Sequence, residues 1–383
     1  MMRRLLLLSM VLVLMLMLGW WLQPGHQIPT PAQQQGSGLA ETLAGDSAGW
    51  ARATERREFS FPADHGPHPA YKTEWWYFTG NLQTEDGRRF GYQLTLFRIG
   101  LKPGRVAGAP SAWRANHLYM AHFALTDVQG ERFHSFERFA RADQRLAGAQ
   151  TQPFAVWLED WRVEGGHDGF LPLKLRAAQG DIAVSLRLDS AKPPVLQGEQ
   201  GLSQKSAEPG NASYYYSFTR MPTRGEIRIK DQTFRVQGHS WLDREWSTSA
   251  LAPDQAGWDW FALQLDDGRD LMYYRLRHKD GSVDRHSAGV LVGPQGDVQR
   301  LEWDDVQLEV LDHWISPQTR IRYPVHWRLT LPDHGLRLDV TPRLQQQEMT
   351  LSVRYWEGAV AVTGQADGEP IIGSGYLELA GYE

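Results

Sequence analysis

Glu74-Trp75-Trp76-Tyr77-Phe78-Thr79-Gly80-Asn81-Leu82 and Phe90-Gly91-Tyr92-Gln93-Leu94-Thr95-Leu96-Phe97-Arg98 flank the short run Glu85-Asp86-Gly87-Arg88. Aromatic and β-branched side chains suit a pleated surface, and Asp-Gly supplies the backbone freedom of a tight turn, so the two runs read as one β-hairpin. Working outward, segments 117–127, 132–140, 155–163, 171–177 and 181–188 repeat the strand pattern at regular spacing. Residues 193–210 read as a loop, and strands resume over 214–220, 225–230 and 233–238. Short strands at such spacing predict an all-β barrel or sandwich. Both faces of the first hairpin are aromatic, so alternation does not decide which face lines a cavity.

The hairpin has an echo. Trp258-Asp259-Trp260-Phe261, Asp267-Gly268-Arg269 and Leu271-Met272-Tyr273-Tyr274-Arg275 repeat its aromatic entry, its turn and its tyrosine strand. Duplication explains this better than chance and predicts two similar domains. The boundaries read as an N-terminal segment 1–22, a tether 23–57, a first β domain 58–250 and a second 251–383. A chain of 383 residues is long enough for two cores.

The densest chemistry lies in Gly238-His239-Ser240-Trp241-Leu242-Asp243-Arg244-Glu245-Trp246. Extended, this run puts His239, Trp241, Asp243 and Glu245 on one face, and Ser240, Leu242, Arg244 and Trp246 on the other. Neighbours on a face stand about 7 Å apart and next-neighbours roughly 13 Å, so His239 and Asp243 do not share a metal ion in an extended strand. The grouping predicts either a catalytic cluster or a polar network at a domain junction. His122, within Ala121-His122-Phe123, reads as a satisfied core histidine, and Glu74 as a group that bonds backbone at the closed end of a barrel.

Composition narrows the classes further. A net charge of −5 argues against a nucleic-acid partner. Cysteine is absent, which excludes disulfides, thiolate metal sites and a cysteine nucleophile. The 16 tryptophans serve equally as barrel packing or as the walls of a large apolar cavity.

At the N-terminus, Arg3-Arg4 precede an apolar run over residues 5–22, of about the length that crosses a bilayer. It reads as a signal sequence or a membrane anchor. The end at Gly19-Trp20-Trp21-Leu22-Gln23-Pro24 lacks an Ala-x-Ala cleavage pattern and favours an anchor in the inner membrane. The body is then expected in the periplasm or another extracytoplasmic space, held by a tether rich in Gln, Gly and Pro.

Tyr71-Lys72-Thr73-Glu74-Trp75-Trp76-Tyr77-Phe78-Thr79-Gly80, the His239 to Trp246 run and the closing Gly375-Tyr376-Leu377-Glu378-Leu379 together resemble the AttH-like family. Its members are described as predicted secreted hydrolases and are related to the carotenoid 1,2-hydratases. The resemblance covers roughly residues 58 to 383. It implies an all-β fold of two tandem lipocalin-like antiparallel β-barrels behind the N-terminal hydrophobic segment. His239 and Trp241 match a histidine and tryptophan of the hydratase branch, whereas Leu242-Asp243-Arg244-Glu245 follows the AttH-like version and departs from the hydratase pattern.

Two functions follow as expectations. The first is a carotenoid 1,2-hydratase-like hydro-lyase acting by acid–base chemistry on the alkene of an isoprenoid or lipid-like molecule. Asp243 or Glu245 would donate the proton, Trp241 would face the cation, and His239 would orient or deprotonate water. Trp76, Tyr92, Trp260 and Tyr274 would join Trp241 in binding the ligand. No metal or organic cofactor is implied. The second is a membrane-tethered carrier or chaperone of a hydrophobic small molecule or lipid, working with an ABC-type transporter.

Overall fold

The computed structural model describes residues 37–38, 47–103, 116–143, 146–167, 169–248 and 251–383. The apolar run 5–22 and most of the expected tether lie outside the described residues. Within them no helix is long and apolar enough to cross a membrane.

The hairpin forms as its residues dictate. Thr73–Gln83 and Arg89–Gly100 pair antiparallel from Thr73 opposite Ile99 to Gln83 opposite Arg89. Gly87 sits in the connecting turn at φ 87°, a conformation that glycine adopts without strain. Beyond it the chain builds one antiparallel sheet in which Thr73–Gln83 lies between Arg89–Gly100 and Gln232–Ser247. The segments 214–220 and 225–230 are not separate strands. They join as Ala212–Ile229, with a register shift between Phe218 and Met221 that bends the sheet without ending the strand.

This first sheet curls until its edges approach. Arg138, on the Arg132–Arg141 edge strand, donates to the Ala178 carbonyl at 2.9 Å, and its guanidinium lies 4.4 Å from the Trp161 ring centre. Phe123 meets the same ring edge-on at 5.7 Å. The result is a nearly closed barrel filled by Trp76, Phe78, Tyr92, Leu94, Leu242 and Trp246 among others.

The second sheet repeats the plan. Gln255–Leu265 pairs with Asp270–His278 on one side and with the last strand, Glu369–Ala380, on the other. In both sheets the first strand therefore touches the second and the last, as duplication of one lipocalin-like unit predicts. Its own core gathers Phe261, Tyr273, Trp327, Trp356 and Leu377.

A third apolar cluster explains why the first hairpin is aromatic on both faces. Trp76 and Phe78 point into the first barrel, while Tyr77 packs with Tyr215, Trp241, Trp260, Met272 and Tyr274 between the sheets. Tyr77 meets Trp260 edge-on at 5.3 Å, so the two echoing hairpins face each other across this junction. Residues 36–383 accordingly form one compact unit.

Candidate active site

The junction is not completely filled. Between the sheets lies a cavity of about 120 Å³. Its walls are largely aromatic, with Trp75, Phe97, Trp258, Trp260 and Tyr274, and into it project Asp243, Glu245, Glu357 and Glu378.

Asp243 enters from the Gln232–Ser247 strand, where alternation turns it away from the barrel interior. Its Oδ1 accepts from the Ser217 hydroxyl at 2.5 Å and the Trp241 indole N–H at 2.7 Å, and its Oδ2 accepts from the Tyr215 hydroxyl at 2.6 Å. Burial pushes its pKa up to about 7, against these donors, which favour the carboxylate. Near neutrality Asp243 thus exchanges between acid and base. Glu245, two residues on, lies 3.6 Å from the Lys205 ammonium, which in turn stands 4.1 Å from the Tyr274 ring centre.

The facing acids behave differently. Glu357 and Glu378 are register partners on the neighbouring strands Val353–Ala366 and Glu369–Ala380. Burial, reinforced by the charge of Glu378, holds Glu357 well above the usual carboxylate range. Burial also raises Glu378 to about 8, opposed by the Trp258 indole N–H that donates to its Oε1 at 3.0 Å and aided by the charges of Asp243 and Glu245. Tyr77 donates to Glu357 Oε1, and Glu357 Oε2 has no hydrogen-bond partner. An acid with few donors and an acid with three thus face each other across an apolar space, the condition that sets a proton donor against a proton acceptor.

The sequence-derived site is only partly assembled here. Asp243, Glu245, Trp260 and Tyr274 line the cavity. Trp241 is buried beside it, with its indole N–H committed to Asp243. His239 does not join them. The strand carries it roughly 13 Å from Asp243, into a separate polar cleft with Asn81, Arg89, Arg224 and Arg343. Its side chain is exposed there, and its pKa is lowered by partial desolvation and by Arg220. Trp76 and Tyr92 are likewise corrected, because their strand parity turns them into the first barrel. Trp76 donates to the His65 carbonyl and stacks against Arg244, while the Tyr92 hydroxyl meets Ser240 Oγ at 2.6 Å.

Glu357, Glu378, Lys205 and Tyr215 were not anticipated. A signal for the two glutamates existed: Tyr355-Trp356-Glu357 and Tyr376-Leu377-Glu378 each set an acid on the same face as a tyrosine within an otherwise apolar strand. Among the described residues no three His, Asp or Glu side chains are grouped to hold a metal ion.

With this geometry in place, comparison gives the family. A model of the AttH-like family matches residues 52–382. The chain belongs to the AttH-like family. The crystal structure of an AttH homologue from Nitrosomonas europaea is 35% identical, with a TM-score of 0.77, and the match covers 87% of this chain and 100% of that one. Kievitone hydratase from Nectria haematococca superposes with a TM-score of 0.64 at 14% identity over 84% of this chain and 92% of its own. CghA in complex with Sch210972 does so at 0.54 and 16% identity, over 88% and 97%. At such identities the last two establish a shared fold for this AttH-like chain. A comparison with curated proteins gave no match.

Proposed function

We propose that this AttH-like protein is a hydratase-type enzyme that adds water to, or removes it from, an apolar alkene held between the two sheets. The observation that carries the reading is the opposition of Glu357 and Glu378, both held in the acid form, to Asp243, which accepts three hydrogen bonds across an aromatic cavity. The fold shared with a kievitone hydratase supports the same class of chemistry.

In the forward direction Glu378 transfers its proton to one alkene carbon. A C–H bond forms, an O–H bond breaks, and the adjacent carbon becomes cationic. Trp75, Trp258, Trp260 and Tyr274 present ring faces of the kind that stabilise such a cation by about 0.5–2 kcal/mol each. Water then bonds through oxygen to the cation and gives a proton to the Asp243 carboxylate. Glu357, opposite Glu378, shares the proton reservoir. The donor is then Glu378 and not Asp243 or Glu245, and His239 has no part in the chemistry.

The test is incubation with prenylated phenols and short isoprenoid alkenes, followed by mass spectrometry for products heavier by one water. Wild type should accumulate them, while Asp243→Asn and Glu378→Gln should not. A ligand that co-purifies at stoichiometry and returns chemically unchanged from every incubation would sink catalysis in favour of the carrier.

A further inference from the structure

His122 is fully buried on the His117–Asp127 strand, yet neither ring nitrogen ends on a backbone carbonyl, the usual partner of a histidine that only fills a core. Nδ1 lies 2.6 Å from the Tyr355 hydroxyl, and Nε2 lies 3.2 Å from Glu137 Oε2. Tyr355 carries a proton of its own, and Glu137 is a carboxylate that can take one up: burial opposes its charge, but the hydrogen bonds from His122 and Ser352 hold its pKa below the usual value. Tyr355 lines the cavity with Glu357, two residues further along the same strand face, whereas the Glu137 side chain reaches the surface with 15% of its area exposed. The Ser352 backbone N–H, at 3.2 Å, and the Ser352 hydroxyl fix Glu137 in place. His122 and Glu137 belong to the first sheet, Ser352, Tyr355 and Glu357 to the second part of the chain, so the row runs across the junction.

We propose that Glu137, His122 and Tyr355 form a proton wire that reloads Glu357 from solvent. The proposal rests on the reading of Glu357 as part of the proton reservoir. A proton taken up by the Glu137 carboxylate passes to Nε2 as the Nδ1 proton passes to the Tyr355 oxygen and the Tyr355 proton passes to Glu357. One O–H, one N–H and one phenolic O–H bond break, and one N–H and two O–H bonds form. Glu137 is left as a carboxylate, and the hydroxyl rotor and the ring tautomer then reset. The wire serves an enclosed site whose mouth is blocked by substrate, because the donor recovers its proton through the wall. His122 and Tyr355 are positioning and relay residues; neither needs to touch the substrate.

The experiment reads the proton itself. Infrared difference spectra of wild type and Glu357→Gln identify the carbonyl stretch of the protonated Glu357, and rapid transfer into deuterium oxide times its isotope shift. Tyr355→Phe, which removes a single oxygen, and His122→Gln should both slow that exchange by roughly a hundredfold, the low end of what a positioned proton donor contributes. Thermal melting checks that each variant is folded, and Tyr355→Phe decides alone if His122→Gln is not. Exchange as fast in the variants as in wild type overturns the wire and leaves the acid assignment standing. No carboxylic-acid band lost in Glu357→Gln overturns the acid assignment and the wire with it.

Discussion

Glu357 and Glu378 stand directly opposite each other on adjacent antiparallel strands, Glu357 buried and Glu378 half-buried, and among the described residues neither has an ion-pair partner. Like charges so placed repel in a medium that screens them poorly, so the folded chain keeps protons that the unfolded chain would release. Under the proposed function, stability and reactivity are tied at this one pair, because the proton that relieves the repulsion is the one offered to the alkene.

Stability should record this directly. The Glu378 pKa is raised from the unfolded 4.5 to about 8, so its favourable contribution is complete below the unfolded value and is lost as pH rises through the folded one. Glu378→Gln has no such loss. Between about pH 5 and about pH 8 the variant should gain on wild type by up to about 1.4 kcal/mol per pH unit. Urea midpoints measured across that range test it, and parallel curves would refute it.

Activity should be confined to a narrow band of pH. Asp243 must be ionised to take a proton from water, and its pKa is about 7. Glu378 must be protonated to give one, and its pKa is about 8. kcat/KM should rise through the first value and fall through the second, with the apparent constants belonging to the coupled cluster. Asp243→Asn should lower turnover by about 10²–10⁴-fold while the fold survives, as the loss of a general base does. A profile flat across neutrality would remove both assignments.

How much of this could be read beforehand depends on what each signal reports. The Thr73–Gln83 strand and its hairpin were legible because aromatic runs and an Asp-Gly turn are local features. So was the repetition of the hairpin, since Trp75-Trp76-Tyr77-Phe78 and Trp258-Asp259-Trp260-Phe261 open the two copies alike. Parity correctly separated Asp243 and Glu245 from Leu242 and Trp246. It does not say how far along the strand the second sheet covers that face, and His239 lies past the edge of the cover. Trp76 and Tyr92 were misplaced for a related reason: a cavity inside a barrel and a cavity between two barrels require opposite faces of the same strand. Glu357 and Glu378 lie 114 and 135 residues beyond Asp243 in sequence, and only tertiary contact joins them to it.

Trp258 should tune the donor. Its indole N–H, 3.0 Å from Glu378 Oε1, favours the carboxylate and so holds the Glu378 pKa below what burial alone would set. Removing the N–H in Trp258→Phe, with an aromatic ring retained, should move the alkaline limb of the rate profile upward by roughly one unit. The acidic limb, set by Asp243, should stay where it is. A shift of both limbs together would point to a general change in the cavity and away from this hydrogen bond.

The opposite dependence on pH is expected at Glu74. It is fully buried and pairs with Arg98 and Arg244, each about 1% exposed, and it also accepts the His68 backbone N–H at 3.0 Å. Arg244 also donates to the carbonyls of Gly66, Trp75 and Glu245, so the ion triad fixes backbone around the strand that carries Asp243 and Glu245. Glu74→Gln leaves two buried guanidinium groups without their counter-charge, and should lower stability by about 3–5 kcal/mol near neutral pH. Although burial alone would raise the Glu74 pKa, Arg98 and Arg244 bring it well below 4.5, so this stability is present above the unfolded value and disappears as pH falls through the folded one. The gap between wild type and Glu74→Gln should therefore narrow toward acid, where that between wild type and Glu378→Gln also closes but from the other sign. Midpoints of urea unfolding for the two variants, followed over the same pH range, separate a carboxylate that the fold needs charged from one that it holds neutral. A Glu74→Gln protein as stable as wild type at neutral pH would show that the triad is not what holds this strand.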